Sequence, residues 1–374
     1  MRRIVLLLVA LVVTILALAC EEEKEDAAVA TPSPAIMVTA TPQATPNGEA
    51  TPTPEATPTP TSIPSARIAF VSERDGNSEI YVMNADGSSL INVSNHPEFD
   101  FDPTWSPDGT KIAFMSKRDG AGEIYVVNAD GTGLADLTEN AAHDWTPAWS
   151  PQGSRIAFAS RRDGNDKIYV MNTDGSGQTR LTTNAGRDDN PVWSPDGSQI
   201  AFACHPDGND EICAVNADGT GLINLSNHPA YDFEPAWSPD GSRVAFISQR
   251  GGGQDIWTVK PDGTGLMRVT DEAMQGEDEY EWSRDGSKIA FDEGGAGVPR
   301  SDIYVVNADG TGLNHLTPKS EAEFMPTWSP DGTRIAFVSG RDGNLEIYVM
   351  NADGTGQTNL TNNPAEDNFP LWSP

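Results

Sequence analysis

The sequence predicts an all-β, seven-bladed β-propeller of four-stranded blades, and three observations predict it. The pair Trp-Ser stands at Trp105, Trp149, Trp193, Trp237, Trp282, Trp328 and Trp372, at spacings of 44, 44, 44, 45, 46 and 44 residues. Each unit carries four short strand signals separated by glycine turns, and periods of about 40 to 45 residues with four strands per unit mark propeller blades. The ends of the repeated region are also complementary. It opens at Ala66-Arg67-Ile68 with three strands, and Phe369-Pro370-Leu371-Trp372 supplies a single strand. The last strand is therefore expected to complete the first blade, which closes the ring and removes exposed edges.

Taken in order, the chain begins with a segment that reads as an export signal, residues 1–19. Arg2 and Arg3 precede an uncharged apolar run from Ile4 to Ala19, the pattern of a charged start and an apolar stretch that directs secretion. Leu16-Ala17-Leu18-Ala19-Cys20 resembles a lipoprotein signal, in which a small residue precedes a cysteine that is lipidated and becomes the mature N-terminus. Cys20 is thus the expected lipidation site, with simple secretion or a retained anchor helix as alternatives. Residues 20–65 read as a lipid-anchored disordered linker. An acidic cluster (Glu21, Glu22, Glu23, Glu25, Asp26) leads into a Thr/Pro tract, and proline favours extended polyproline II with a reach of roughly 140 Å.

Residues 66–374 form the propeller. A unit contains an Ile-Ala-Phe strand such as Ile68-Ala69-Phe70 and a second strand such as Ile80-Tyr81-Val82-Met83. The turn Asn84-Ala85-Asp86-Gly87, a short third strand and the Trp strand follow. The turn ends like a calcium loop, but Val82 holds the place of the first ligand, so it reads as a hairpin turn with glycine at positive φ. Ile112, Phe114 and their equivalents are expected to pack between blades, and the tryptophans to belong to the same inter-blade core.

Pro103-Thr104-Trp105-Ser106-Pro107-Asp108-Gly109-Thr110-Lys111-Ile112-Ala113-Phe114 resembles the repeat of TolB-type, WD-like propellers, and similar stretches recur through residues 66–374. Departures are Gln152, Arg284 and Tyr280, where the repeat has Asp, Pro and Pro. The resemblance implies the fold and an extracytoplasmic setting. It does not imply the Tol system, because TolB itself carries an α/β domain before its propeller, whereas a linker stands in that place here.

Charge narrows the partners. The 374 residues hold 24 Lys plus Arg against 55 Asp plus Glu, a net charge of −31, which repels phosphate backbones and anionic headgroups. Nucleic acid is excluded as a partner, and the membrane is expected to be reached by the lipid anchor only.

Five residues before each tryptophan stands an acid: Asp100, Asp144, Asp188, Asp232, Glu277, Glu323 and Asp367. They are expected around one mouth of the channel, facing Arg74, Arg118, Arg162, Arg250 and Arg341 from the loops between the two outer strands. Two units lack such an arginine. One has His205-Pro206 and the extra acid Asp189; the other has Gly294-Gly295-Ala296-Gly297 and the extra acids Asp278 and Glu279. Uncompensated carboxylates there could bind a divalent cation such as calcium, with Asp188 and Glu277 as best candidates for metal ligands, or a basic segment of a partner. Phe99, Phe101, Trp145, Tyr231, Phe233, Tyr280, Phe324 and Phe369 lie in the same loops and suit a peptide or sugar rings.

No Gly-x-Ser-x-Gly motif occurs, so no catalytic residue is assigned. Some TolB-like propellers resemble pectate lyases, which use clustered histidines around a metal. His96, His143, His205, His228 and His315 show no repeated ligand spacing. Cys204 and Cys213 flank one hairpin and form the candidate disulfide, with a free buried pair as the alternative. The sequence thus predicts a monomeric, membrane-tethered envelope lipoprotein that binds or scaffolds an envelope protein or peptide, or a glycan. A metal-dependent polysaccharide lyase-like enzyme is the alternative.

Overall fold

The computed structural model describes residues 66–374 except 207, 271–276, 295–300 and 319–321, with Glu277 and Asp278 described by backbone alone. The expected signal segment, Cys20 and the linker lie outside these residues. Among the described residues there is no helix, and twenty-eight strands form seven four-stranded antiparallel sheets.

The first blade has the order β28 (Asp367–Trp372), β1 (Arg67–Ser72), β2 (Glu79–Asn84), β3 (Ile91–Asn92) from inside to outside. Its innermost strand therefore comes from the far end of the chain, with Ile68 opposite Trp372 and Ser72 opposite Asp367. The other six blades are each continuous in sequence, as in β4 (Asp100–Trp105), β5 (Lys111–Ser116), β6 (Glu123–Asn128) and β7 (Ala135–Asp136). The seven-bladed ring expected from the repeat count is what the chain forms.

Strand alternation explains how the blades stack, because successive side chains point to opposite sheet faces. Ile112 and Phe114 of the second blade pack on Ala69, Val71 and Ile80 of the first. Ala113, on the opposite face, meets Ile156 and Phe158 of the third. Bulky residues on one face and alanine on the other let adjacent sheets interlock. Phe70, Phe114, Phe158, Phe202, Phe246, Phe291 and Phe337 are all fully buried, each contributing about 1.5–3 kcal/mol relative to exposure. The ring closes through the same contact, with Ile68 and Phe70 packed on Ala336 and Val338.

The tryptophans join this core. Indole Nε1 of Trp105, Trp149, Trp193 and Trp237 donates at 3.1–3.3 Å to a carbonyl of the preceding blade's innermost strand. The Asn84–Gly87 segment is a turn and not a cation loop, since Asp86 Oδ1 accepts the Ser88 amide at 3.0 Å. Gly87 has φ 81°, and a Cβ there would lie 2.8 Å from the Leu360 carbonyl of the neighbouring blade, so glycine is required twice over.

Candidate functional site: the mouth and the central channel

Each innermost strand starts with the acid identified in the sequence, and the structure buries the six whose side chains are described. Asp100, Asp144, Asp188, Asp232, Glu323 and Asp367 are all 0% exposed. These acids, expected around the mouth with five of them facing arginines, are therefore buried. A buried charge without a partner is costly, and the chain answers with the five arginines. Arg74 pairs with Asp367 at 3.0 Å, Arg118 with Asp100 at 3.1 Å, Arg162 with Asp144 at 2.7 Å, Arg250 with Asp232 at 2.6 Å, and Arg341 with Glu323.

The arginines form one repeated staple. In all five, Nε donates at 2.7–2.8 Å to the hydroxyl of Ser72, Ser116, Ser160, Ser248 or Ser339. The guanidinium carbon lies 4.5–5.0 Å from the ring centroid of Tyr81, Tyr125, Tyr169, Trp257 or Tyr348, a cation–π contact. One side chain thus ties the inner strand to both central strands of its blade. Planar, fork-shaped donors suit arginine to this place, and lysine could not serve all three contacts.

The fourth blade departs from the pattern in a way the sequence reading missed. Asp188 was expected to be uncompensated. Instead Lys167 Nζ lies 2.9 Å from Asp188 Oδ2, and Asn184 Nδ2 donates to Oδ1 at 2.6 Å. Lys167 comes from the third blade, at the place where other blades have Glu79, Glu123, Glu211 and Glu346. Those glutamates accept bonds from Ser94, Thr138, Ser226 and Thr361. The signal was available as the single basic residue in an acidic column. Both carboxylate oxygens of Asp188 are engaged, so it is not a vacant cation ligand. Glu277 and Asp278, the other expected site acids, have side chains outside the described residues.

The channel is lined by a different set, two residues beyond each acid. A β-bulge interrupts each innermost strand, and Asp102, Thr146, Asn190, Glu234, Met325 and Phe369 there have φ between 47° and 56°. The next residue is Pro103, Pro147, Pro191, Pro235, Pro326 or Pro370, which cannot donate to the ladder and so belongs at a bulge. In the sixth blade Tyr280 replaces the proline, and the bulge moves one residue earlier, to Asp278 and Glu279.

This column is chemically uneven, with Asp102, Glu234 and Phe369 exposed while Met325 packs against the core between the seventh and first blades. Asp102 and Glu234 are exposed to the channel, yet the ring surrounds them and screens them poorly. Burial within the ring holds both carboxyls above the ordinary range, and Asp102 raises Glu234 further. Asp102 belongs to the second blade and Glu234 to the fifth, so this repulsion acts between non-adjacent blades. Asn190 Nδ2 lies 3.4 Å from Glu234 Oε1, and Tyr280 Oη donates to the Glu234 carbonyl at 2.6 Å. Burial pushes Asp189 up to about 7, and Glu281 likewise to about 7. Met325 and Phe369 make the opposite arc apolar.

At the rim, Phe99 and Tyr231 are 46% and 47% exposed. Phe99 stacks on Phe101 at 6.0 Å, and Arg161 lies 5.6 Å over Trp145. The histidines are spent locally: His96 and His228 accept backbone amides two residues on, and His143 accepts the Gly122 amide. His205 contacts Asp210 at 2.9 Å, and His315 contacts Asp302 at 3.2 Å. Among the described residues no three His, Cys, Asp or Glu side chains are gathered to hold a metal ion. Cys204 and Cys213 are joined in a disulfide with Cα atoms 5.8 Å apart.

Comparison with known proteins places this architecture. The TolB beta propeller domain family matches residues 51–144, 134–219, 185–321 and 280–374. A TolB homolog of Chlorobium luteolum is 49% identical over 43 residues, which is 12% of this chain and 10% of that protein. The chain thus spans about a tenth of the length of that curated relative. Among solved structures, TolB from Acinetobacter baumannii is 23% identical with a TM-score of 0.54, covering 83% of this chain and 67% of that one. Oligogalacturonate lyase from Vibrio parahaemolyticus is 17% identical with a TM-score of 0.63, covering 75% and 85%. At these identities the likeness is one of fold.

Proposed function

Because the chain belongs to the TolB beta propeller domain family, we propose that it is a binding or scaffolding module of the cell envelope, held outside the cytoplasm by a lipid on Cys20 and the linker of residues 20–65. Its ligand is a protein or peptide segment with a basic residue flanked by apolar ones. The observation that carries this reading is the channel-lining column. The five arginines and their acids are consumed by the fold, whereas Asp102, Glu234 and Phe369 stay exposed. A cationic side chain entering the channel would lie between Asp102 and Glu234, relieving their mutual repulsion. Its apolar neighbours would rest on Phe99, Tyr231 and Phe369, aromatic anchors of the kind that dominate interfaces.

The lyase-like reading draws less support, since among the described residues no three His, Cys, Asp or Glu side chains gather where they could hold a metal ion. In-cell photo-crosslinking with the full-length chain tests the proposal. A crosslinking side chain at Tyr231 or Phe99 should capture a discrete envelope protein, and Asp102→Asn with Glu234→Gln should abolish capture. The same group at Leu313, on a hairpin turn of the opposite face, should capture nothing. Equal capture from Leu313, or capture indifferent to the channel substitutions, would sink the reading.

A further inference from the structure

The fourth blade replaces the whole arginine staple at once. Cys204 stands at the serine place, Cys213 at the tyrosine place and Pro206 at the arginine place. The two cysteines take the places of the serine and the aromatic residue on which five other blades anchor and stack a guanidinium, and they are buried, at 1% and 4% exposure. Asp188, which would have met that arginine, is met by Lys167. The staple's two tasks are thereby separated. Lys167 holds the inner strand, and the disulfide is the covalent side-chain tie added to the backbone ladder between β13 (Gln199–Cys204) and β14 (Glu211–Asn216) at the mouth end, where His205 also contacts Asp210.

From this substitution we propose that the fourth blade is a redox-conditional segment of the ring. Oxidised, its central strands are as firmly tied as those of the stapled blades. Reduced, two thiols replace a serine, a tyrosine and an arginine, leaving less volume, no cation–π stack and no covalent cross-link to reinforce the backbone ladder between β13 and β14. The inner strand Asp188–Trp193 keeps its ion pair, so opening is confined to the two central strands. Reduction proceeds by exchange with a dithiol. One reductant thiolate attacks a protein sulfur and releases the other as a thiolate. The second reductant thiolate then closes the reductant's own disulfide, and the two protein thiolates take up two protons.

Amide exchange by mass spectrometry on the full chain, with and without dithiothreitol, tests this. Alkylation should count two more thiols after reduction than before. Exchange in residues 199–204 and 211–216 should then accelerate at least about tenfold, with Lys111–Ser116 and Arg334–Ser339 unchanged. A Cys204→Ala/Cys213→Ala variant should exchange like the reduced chain in both conditions. The variant Lys167→Glu/Cys204→Ser/Pro206→Arg/Cys213→Tyr, which rebuilds the staple, should be indifferent to reductant. If the bond resists dithiothreitol or the rebuilt variant does not fold, the alanine pair decides. Unchanged exchange in it, or acceleration spread evenly over all seven blades, overturns the proposal.

Discussion

Lys167 Nζ and Asp188 Oδ2 lie 2.9 Å apart with side chains 2% and 0% exposed, an ion pair that joins the third blade to the fourth where five other blades use an arginine of their own. Removing one partner of such a pair leaves a buried charge unpaired, which costs about 3–5 kcal/mol. Lys167→Met should destabilise by that order in urea denaturation. Adding Asp188→Asn should recover part of the loss, because the orphaned charge is then gone.

Arg118→Lys should cost about 1–3 kcal/mol although charge is conserved. Lysine cannot donate to Ser116 and Asp100 while stacking on Tyr125, and hydrogen bonds to charged groups contribute on this scale. Comparison with Lys117→Arg, a neighbouring substitution outside the staple, isolates the effect from general surface change.

Acidity should stabilise one inter-blade site. Burial pushes Glu123 up to about 7, with Asp144 and Asp136 adding repulsion against the bonds from Thr138 and Asn140. A carboxyl that binds its proton more tightly in the folded state favours folding below its unfolded pKa, and the benefit is lost as pH rises through about 7. Stability measured between about pH 4.5 and 7 should therefore fall with rising pH by this contribution. Glu123→Gln should flatten that slope.

Deletion of residues 365–374 removes β28 and leaves the first blade with three strands. The inner edges of β1 would be unpaired and Trp105 Nε1 would lose the Leu371 carbonyl. Cooperative unfolding should disappear, and limited proteolysis should cut the whole repeated region rather than its first blade alone, because ring closure is shared by all seven sheets.

Several of these relationships were legible in one dimension. The number of blades, the four strands in each and the borrowed inner strand follow from the 44- to 46-residue spacing of the tryptophans, because each repeat can bury its faces only against a neighbour. The partnership of Arg118 with Asp100 was also readable, since both belong to one blade and the same 18-residue offset occurs in four blades, the fifth pair, Arg74 with Asp367, spanning the ring closure. What tertiary structure alone decided is where the charges end up. Asp100 and Asp102 are two residues apart and would share a face in a regular strand. The bulge, with Asp102 at φ 53°, leaves the first buried and turns the second into the channel. Lys167 meets Asp188 only because ring packing brings the third blade's central strand to the fourth blade's inner one. Local alternation and repeat length fix elements and their count, whereas burial and pairing of a charge depend on which neighbouring sheet lies opposite, and only the closed ring supplies that neighbour.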